Sequence, residues 1–585
     1  MKEPASIPPR LLRGTVPPLL VVASILLTFL ASSLTLWLPR RIGYLVDELS
    51  TGGMGGTDLY KEISLFLGVA LIAAGFSKAM RVVPMRWGVG VAHLLRTRLQ
   101  AHILSQDESQ VRQRRVGELM SRLQSDVNSV ADMMALGGHS IIRAVFTLGI
   151  AFWMMFQRSP EMARWMSLLI PLLMVIGFVM LRSIRSRHLE VQEQLGVLTT
   201  YCQESFTGLR ILRGLGLEDL RMKAFGELNT EYIRRNLKLS RVEIPVWPVI
   251  QTGFVIGNAL LLWTGGMKVI RGEIPLGVLV EFQQYLMVLQ WPSLSVAWSL
   301  SLILRGRASY SRIKEVMDEE PRIRELPNPA ETFELPGTPL VFDSVSVLLE
   351  GQPILREMSF RVEAGERIGI TGPTGSGKTV LLHTILRRQD PDRGHIRFGS
   401  MPLEDLPLET LYQHVRIAPQ EPMLFSMSLR ENLTLANPEV SEEEVNRALD
   451  LSALSMDLAQ FPDGLDTSIG ERGVTLSGGQ RQRAAIARAL IPDPPVLLLD
   501  DSLSAVDTST ESRILEKLLP AVRDRTLLMV SHRVAALRHC DRILVLNEGR
   551  LVEQGTPEQL LNAGGYFATL EERQRLQARL EADDV

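Results

Sequence analysis

Residues 367–379 read Arg367-Ile368-Gly369-Ile370-Thr371-Gly372-Pro373-Thr374-Gly375-Ser376-Gly377-Lys378-Thr379. The apolar start, Arg367–Thr371, reads as a strand. Gly372 to Thr379 is a complete phosphate loop of the type G-x-x-x-x-G-K-T. Its glycines let backbone N–H groups turn toward phosphate, Lys378 neutralises the β/γ oxygens, and Thr379 offers a hydroxyl to Mg²⁺. A strand before the loop and a helix after it predict an α/β P-loop nucleotide-binding domain. Downstream, the apolar run Val496-Leu497-Leu498-Leu499 ends in Asp500-Asp501. A strand ending in an acid, below a phosphate loop, is where a nucleotide hydrolase holds magnesium, so Asp500 is a candidate metal residue. The next position commonly carries the carboxylate that activates water, usually a glutamate. Here it is Asp501, one methylene shorter.

At 585 residues the chain exceeds one ordinary domain. Its hydrophobic fraction of 46% is near the soluble average, so composition alone does not mark a membrane protein. Distribution does, because the long apolar runs fall in the first 305 residues. A net charge of −2 argues against nucleic acid as a partner. Cys202 and Cys540 lie in different halves and fit no metal spacing, which suits a reducing cytoplasmic setting for the soluble half.

Pro17–Leu38 is long enough to cross a bilayer, for which about 20 residues are needed. Arg10 and Arg13 before it predict a cytoplasmic N-terminus. The length of the run, and Arg40-Arg41 after it without a small-residue cleavage site, read against a cleaved signal peptide. Further spans are expected at Ile63–Val83, Gly137–Gln157, Met166–Leu181, Val246–Val269 and Leu276–Ile303. Six spans return both ends of this half to one side. Between spans two and three, and between four and five, charged segments such as Leu94–Ser129 and Arg182–Arg241 carry apolar residues at helical spacing. They predict long helices running into the cytoplasm. Breaks are expected at Gly117-Glu118-Leu119 and Thr207-Gly208-Leu209. The expected fold is thus an all-α polytopic membrane domain over 1–320, with six transmembrane helices and long cytoplasmic extensions, followed by the α/β P-loop domain over 335–585.

Leu476-Ser477-Gly478-Gly479-Gln480, with Arg481-Gln482-Arg483 and an alanine-rich helix after it, resembles the signature of ATP-binding cassette proteins. With the phosphate loop and six spans, nearly the whole chain is similar to an ABC exporter half-transporter. The chemistry agrees: Ser477 and the glycine backbone lie at a helix N-terminus, which suits a γ-phosphate. The resemblance implies ATP and Mg²⁺ as ligands, and a signature that reaches across a dimer to the partner's phosphate loop. It implies that Gln420 touches Mg²⁺ and the attacking water, that Asp500 serves Mg²⁺, and that His532 contacts γ-phosphate. Glu471-Arg472-Gly473 resembles the exporter stretch that meets the coupling turns, and Ser504-Ala505-Val506-Asp507 the loop that crosses between the two sites. Leu349 stands where an aromatic residue normally stacks on adenine, and a leucine lacks the π-face.

Asp501 is the second departure. A general base must lie about 2.6–3.2 Å from the proton it takes, directly or through one water. A misplacement of roughly 1 Å can cost about 100-fold. An intact signature beside a weakened base resembles the degenerate-site subunit of heterodimeric bacterial multidrug exporters. The partner implied is a second half-transporter carrying glutamate at this position, with a homodimer as the alternative. The setting implied is the bacterial cytoplasmic membrane, with the nucleotide-binding domain in the cytoplasm. Substrate is expected to be a small amphipathic or hydrophobic compound. A lipid or peptide exporter, a siderophore importer of exporter-like fold, and a nucleotide-gated channel or regulatory subunit are the other readings. Intramembrane polar residues are the substrate candidates: Glu281 and Gln284 in span six, and Arg143 in span three, with Lys78 and Arg81 near the inner end of span two. Interhelical hydrogen bonding or snorkelling to headgroups is the competing role for each.

Overall fold

A computed structural model describes residues 18–52, 55–323, 337–349, 351–470 and 476–583. The chain divides into two compact units. The first comprises its described residues up to Ser105 together with Arg114–Glu320, and the second Gln106–Gln113 together with the described residues from Pro321 onward.

The first unit is helical. Its long helices are α1 (Pro18–Ser50), α2 (Gly56–Leu104), α3 (Val116–Arg158), α4 (Pro160–Thr207), α5 (Glu218–Ile270) and α6 (Leu276–Met317). Among the described residues, six helices are long and apolar enough to cross a membrane. α3 carries two π-helical stretches, Arg122–Asp126 and Met133–Gly138, and α5 is interrupted by a turn between Glu243 and Val246. With no hydrophobic drive between helices in lipid, close packing relies on small residues. A Cβ on Gly88 of α2 would lie 2.8 Å from the Ala135 side chain of α3, and one on Gly306 of α6 would lie 2.3 Å from that of Met133. At the other end of α6, the Asp47 carboxylate accepts from Gly277 N at 2.5 Å and so satisfies one of the free N–H groups of that helix start. The core of the unit is built from Leu36, Met155, Ile170, Phe282, Tyr285 and Leu289.

The first predicted break is not at Gly117-Glu118-Leu119, which lies inside the helical run starting at Val116. The chain leaves α2 at Ser105 and forms a short helix, Glu108–Arg112. A reciprocal cap between Asp107 and Gln110 starts that helix. A glycine in the first turn of a helix breaks nothing, whereas the cap does decide the path. This segment belongs to the second unit by its contacts: Asp107 Oδ2 accepts from Arg322 N at 2.7 Å and Ile323 N at 3.2 Å, and Glu108 lies 3.8 Å from Arg388. The second break falls at Gly208, which ends α4 before the short helix Leu209–Leu215.

The second unit holds two sheets. β1 (Leu340–Leu349), β2 (Gln352–Val362), β4 (Arg393–Phe398) and β5 (Met401–Pro402) form an antiparallel sheet in the order β2-β1-β4-β5. The second sheet adds β3 (Arg367–Thr371), β6 (Val415–Ala418), β7 (Val496–Asp500), β8 (Thr526–Val530), β9 (Arg542–Asn547) and β10 (Arg550–Gly555), in the order β10-β9-β3-β8-β7-β6. Its five pairings are parallel except β10 on β9. β7 and β8 are buried at every residue, as a strand covered on both faces must be. Parallel register sets Asp500 opposite Val530 and Ile370 opposite Val530 on the other side, so the ends of β3, β7 and β8 fall at one edge. Ligands of open α/β sheets bind at this carboxyl edge. Helices α7 (Lys378–Ile385), α8 (Gly478–Leu490) and α9 (Thr508–Ala521) lie in this unit.

Candidate functional site

The phosphate loop connects β3 to α7. Gly372 has φ +146°, and a Cβ there would lie 2.0 Å from Leu546 O, so only glycine fits. Gly377, with φ +98°, is another position that a side chain would strain, at the start of α7. Pro373, Thr374, Gly375 and Ser376 make the turn between them. The Lys378 ammonium is buried and folds onto this turn, donating to Gly372 O at 2.9 Å and Pro373 O at 2.8 Å. Burial holds its pKa below the usual lysine value, with Asp501 and Asp500 pulling the other way. A cation held by carbonyls in the mouth of a loop of N–H donors is ready for an anion to displace those contacts.

Across from the loop, Thr379 Oγ1 donates to Asp500 Oδ1 at 3.2 Å. Asp500 is buried at the end of β7, and burial raises its pKa, opposed by the Thr379 bond. A hydroxyl and a carboxylate converging on one point are oxygen donors, the set a hard cation such as Mg²⁺ takes. The pair fits that ion.

Asp501 follows with φ +45°, a left-handed backbone for a non-glycine residue. Its N–H still donates to Val530 O at 3.1 Å, so the turn begins immediately after the sheet. Asp and Asn tolerate this region better than longer side chains do. Burial raises the Asp501 pKa, while the nearby charges of His532, Lys378 and Arg533 lower it. His532 follows β8, and its pKa is lowered by burial and by Lys378, with Asp501 opposing. Lys378, Asp500, Asp501 and His532 thus form one electrostatic cluster at the sheet edge.

Gln420 stands beyond β6. Its carbonyl oxygen lies 3.4 Å from Gln482 Nε2, which also donates to Ser504 Oγ at 3.0 Å, and Gln482 Oε1 accepts from Ala505 N at 2.8 Å. Ser504 Oγ in turn donates to Asp501 O at 2.8 Å. One buried glutamine therefore links the Gln420 loop, the Asp501 turn and the Ser504–Asp507 loop. Arg533 holds the Ser504–Asp507 loop from the other side, donating to Val506 O at 3.1 Å and pairing with Glu511. Gln482 and Arg533 escape a reading by motif. Their place directly beside Ser477–Gln480 and His532 is the only sequence signal they carry.

The signature begins α8. Ser477 Oγ accepts from Gln480 N at 3.2 Å and Ser477 N donates to Gln480 Oε1 at 3.0 Å, a closed capping box. Gln480 also donates to Asp457 Oδ1 at 3.2 Å, and Arg483 pairs with Asp457 at 2.5 Å. Gly479 sits where a Cβ would be 3.1 Å from Ala505 O, so the helix start lies against the Ser504–Asp507 loop. Gly478 leaves this end of α8 free of side chain. Among the described residues no hydrogen bond joins Ser477–Gln480 to the phosphate loop of the same chain. Glu471-Arg472-Gly473 lies outside the described residues. Leu349 ends β1, is exposed, and lines a cavity of about 670 Å³ with Gly351, Thr379, Val380 and His383.

The family described as ABC transporter transmembrane region matches residues 21–293, and that described as ABC transporter matches residues 355–504. The probable multidrug resistance ABC transporter ATP-binding/permease protein YheI of Bacillus subtilis is 31% identical over 560 residues, covering 94% of this chain and 95% of that protein. The chain belongs to the ABC transporter family. The multidrug resistance-like ATP-binding protein MdlA of Escherichia coli is 29% identical, with 96% of this chain and 95% of that protein aligned. The ATP-dependent lipid A-core flippase of Syntrophus aciditrophicus is 30% identical, with 86% and 84% aligned. A solved bacterial Atm1-family ABC exporter with ATP bound superposes with a TM-score of 0.79 at 24% identity, over 96% of this chain and 99% of that one. The fold is that of an ABC exporter half-transporter, a multi-pass membrane region joined to one ATP-binding domain.

In the membrane region of this ABC transporter, the candidate residues separate. Glu281 is buried, accepts from Tyr285 Oη at 2.9 Å and lies 3.3 Å from Arg158 Nε. Its oxygens face protein partners from α3 and α6. Gln284 is half-buried one turn away. Arg143 lines a cavity of about 310 Å³ with Arg81, Ser140, Trp291, Pro292 and Ser295.

Proposed function

We propose that the chain is one half of a heterodimeric ATP-driven exporter of hydrophobic or amphipathic compounds in the cytoplasmic membrane. Its own phosphate loop forms the slow ATP site, and its signature completes the fast site of its partner. The observation that carries this reading is Asp501: a short acid, on left-handed backbone, at the position that activates water.

Gly372–Thr379 would hold the phosphates, with Lys378 leaving Gly372 O and Pro373 O to meet them. Thr379, Asp500 and Gln420 would hold Mg²⁺, which when bound neutralises the phosphate oxygens. His532 would contact γ-phosphate, and Leu349 would pack on the base without stacking. Asp501 would take the proton of the attacking water. General-base assistance is worth about 10²–10⁴-fold, and the shorter side chain forfeits part of it. The signature keeps its capped helix start and its serine, so the partner's site loses nothing from this chain. ATP binds the closed dimer more tightly than the open one, and that difference drives the membrane helices between states. The names of the YheI and MdlA relatives support drugs as substrates, and the name of the flippase relative favours a lipid as the second reading.

The test is ATP hydrolysis by the chain alone and together with a half-transporter that carries glutamate at the position of Asp501. The pair should hydrolyse at a transporter-like rate and the isolated chain should not. Fast hydrolysis by the isolated chain that is lost on Asp501→Asn contradicts the reading.

A further inference from the structure

Two cavities of the membrane unit meet at one turn of α6. The first is the space lined by Arg81, Ser140, Arg143 and the α6 turn Trp291, Pro292 and Ser295. The second, of about 490 Å³, is apolar and lies among α4, α5 and α6, with Ile250, Phe254, Trp298 and the edge-to-face pair Trp247–Trp291 in its wall. Trp291 and Ser295 line both. Pro292, which removes a donor from α6 at this turn, stands between them.

The charge of the first cavity is one-signed. Arg143 and Arg81 repel each other across it. One turn earlier on α3, His139 feels the same arginine, and its Nε2 is buried without a hydrogen-bond partner among the described residues. No Asp or Glu pairs with Arg81 or Arg143 among the described residues. Elsewhere in the unit the buried ions are matched: Glu281 has Arg158, and Asp126 has Arg312. About 22 Å of helix rise separates Arg143 from Arg158 at the far end of α3. Ionisable groups within membrane helices are costly and are ordinarily paired. An unpaired basic cavity joined to an aromatic one has the shape of a receptor for a molecule with an anionic head and an apolar body.

We infer that this chain binds amphipathic anions, with the phosphate or carboxylate head between Arg81 and Arg143 and the apolar body against Trp247, Trp291 and Phe254. Ser140 supplies a neutral donor to the head, and Arg143 offers the planar fork that suits its oxygens. The inference rests on the reading of the chain as an exporter and narrows it to one class of substrate.

Three probes sharing one tail decide it: hexadecyl phosphate, hexadecanol and hexadecyltrimethylammonium. Equilibrium binding is measured on the full-length chain with its copurified partner in phosphatidylcholine nanodiscs. The phosphate should bind about 30-fold more tightly than the ammonium probe, because the two arginines attract the first head and repel the second. Arg81→Gln with Arg143→Gln should bring the three probes to within about 3-fold of one another, and Arg143→Glu should move the preference toward the cation by about tenfold or more. Trp247→Ala should weaken all three by a similar factor. ATP binding and the thermal midpoint of each variant confirm that it is folded. Equal binding of the three heads to the unaltered protein overturns the inference, as does a phosphate preference that survives the double substitution in folded protein. Titrating phosphatidylglycerol into the nanodiscs finds the source of the anion. Competition identifies a membrane lipid head and its absence an amphiphile from solution, and both agree with the class proposed. Uphill movement of hexadecyl phosphate in proteoliposomes is scored separately. Head selectivity without ATP-driven movement removes the exporter reading and leaves the binding site standing.

Discussion

The Asp501 turn and the Ser477 helix start carry different halves of the same chemistry, and they are built differently. Ser477 sits in unstrained backbone inside a closed capping box, with Asp457 holding Gln480 and Arg483 behind it. Asp501 leaves a buried strand directly into a left-handed turn, with a carboxylate that burial makes reluctant to ionise. The first is a rigid donor surface offered outward, and the second is a base set short. The proposed heterodimer assigns the complete surface to the neighbour's site and the weaker acid to this chain's own.

Substitutions at the two places should separate them. The largest effect is expected from Ser477→Arg, which puts a bulky cation at the donor surface. ATPase turnover of the copurified pair should fall by about 100-fold or more, in line with the loss of a preorganised transition-state contact. The same substitution should leave ATP binding at this chain's own phosphate loop unaltered. Breaking the support behind the signature comes next. Arg483→Met leaves Asp457 buried without its charge partner, and loss of one member of such a pair costs about 3–5 kcal/mol. Denaturation of the nucleotide-binding domain should show it, together with a frayed α8 start. Asp501→Glu is the third. It restores the longer acid and should raise turnover at this chain's own site by about tenfold or more, within the range of general-base assistance. Glutamate in the left-handed region should cost roughly 1 kcal/mol of stability.

The smallest effect concerns pH. The Asp501 pKa is raised in the folded protein, so ionisation there opposes folding: the favourable state is the protonated one, present at low pH and lost as pH rises through the raised pKa. Asp501→Asn should therefore raise the melting temperature of nucleotide-free protein at pH 7.5 by about 2 °C, and the gain should shrink toward zero as pH falls into the ordinary carboxylate range. A gain that grows on acidification reverses the sign and contradicts the burial argument.

Periodicity and motif carry far in this chain. The six apolar spans and the strand–loop–helix around Gly372–Thr379 are set by local composition, and the described part of each span falls within a long helix. Three features depend on contacts that periodicity and motif do not report. The first coupling turn is decided by Asp107 capping a short helix with Gln110 and by Arg322 and Ile323 N–H groups meeting its carboxylate, not by the glycine at 117. Glu281 reads as a lone intramembrane acid until α3 brings Arg158 to it. The backbone of Asp501 has no turn residue to announce it. The turn that it begins is closed by Ser504 Oγ, which donates to Asp501 O. Arg143 was visible as a charge in a span, but helical spacing says nothing of which neighbour brings Arg81, or that Trp291 connects their cavity to an aromatic one.

The central claim is that the two ATP sites of the pair differ, and nucleotide trapping tests it directly. The copurified half-transporters are incubated with labelled ATP, Mg²⁺ and vanadate, and the nucleotide held at each phosphate loop is identified. The account predicts ADP trapped at the partner's loop, uncleaved ATP at the Gly372–Thr379 loop, and no change in that pattern on Asp501→Asn. Equal amounts of ADP at both loops, with trapping here lost on Asp501→Asn, would contradict it.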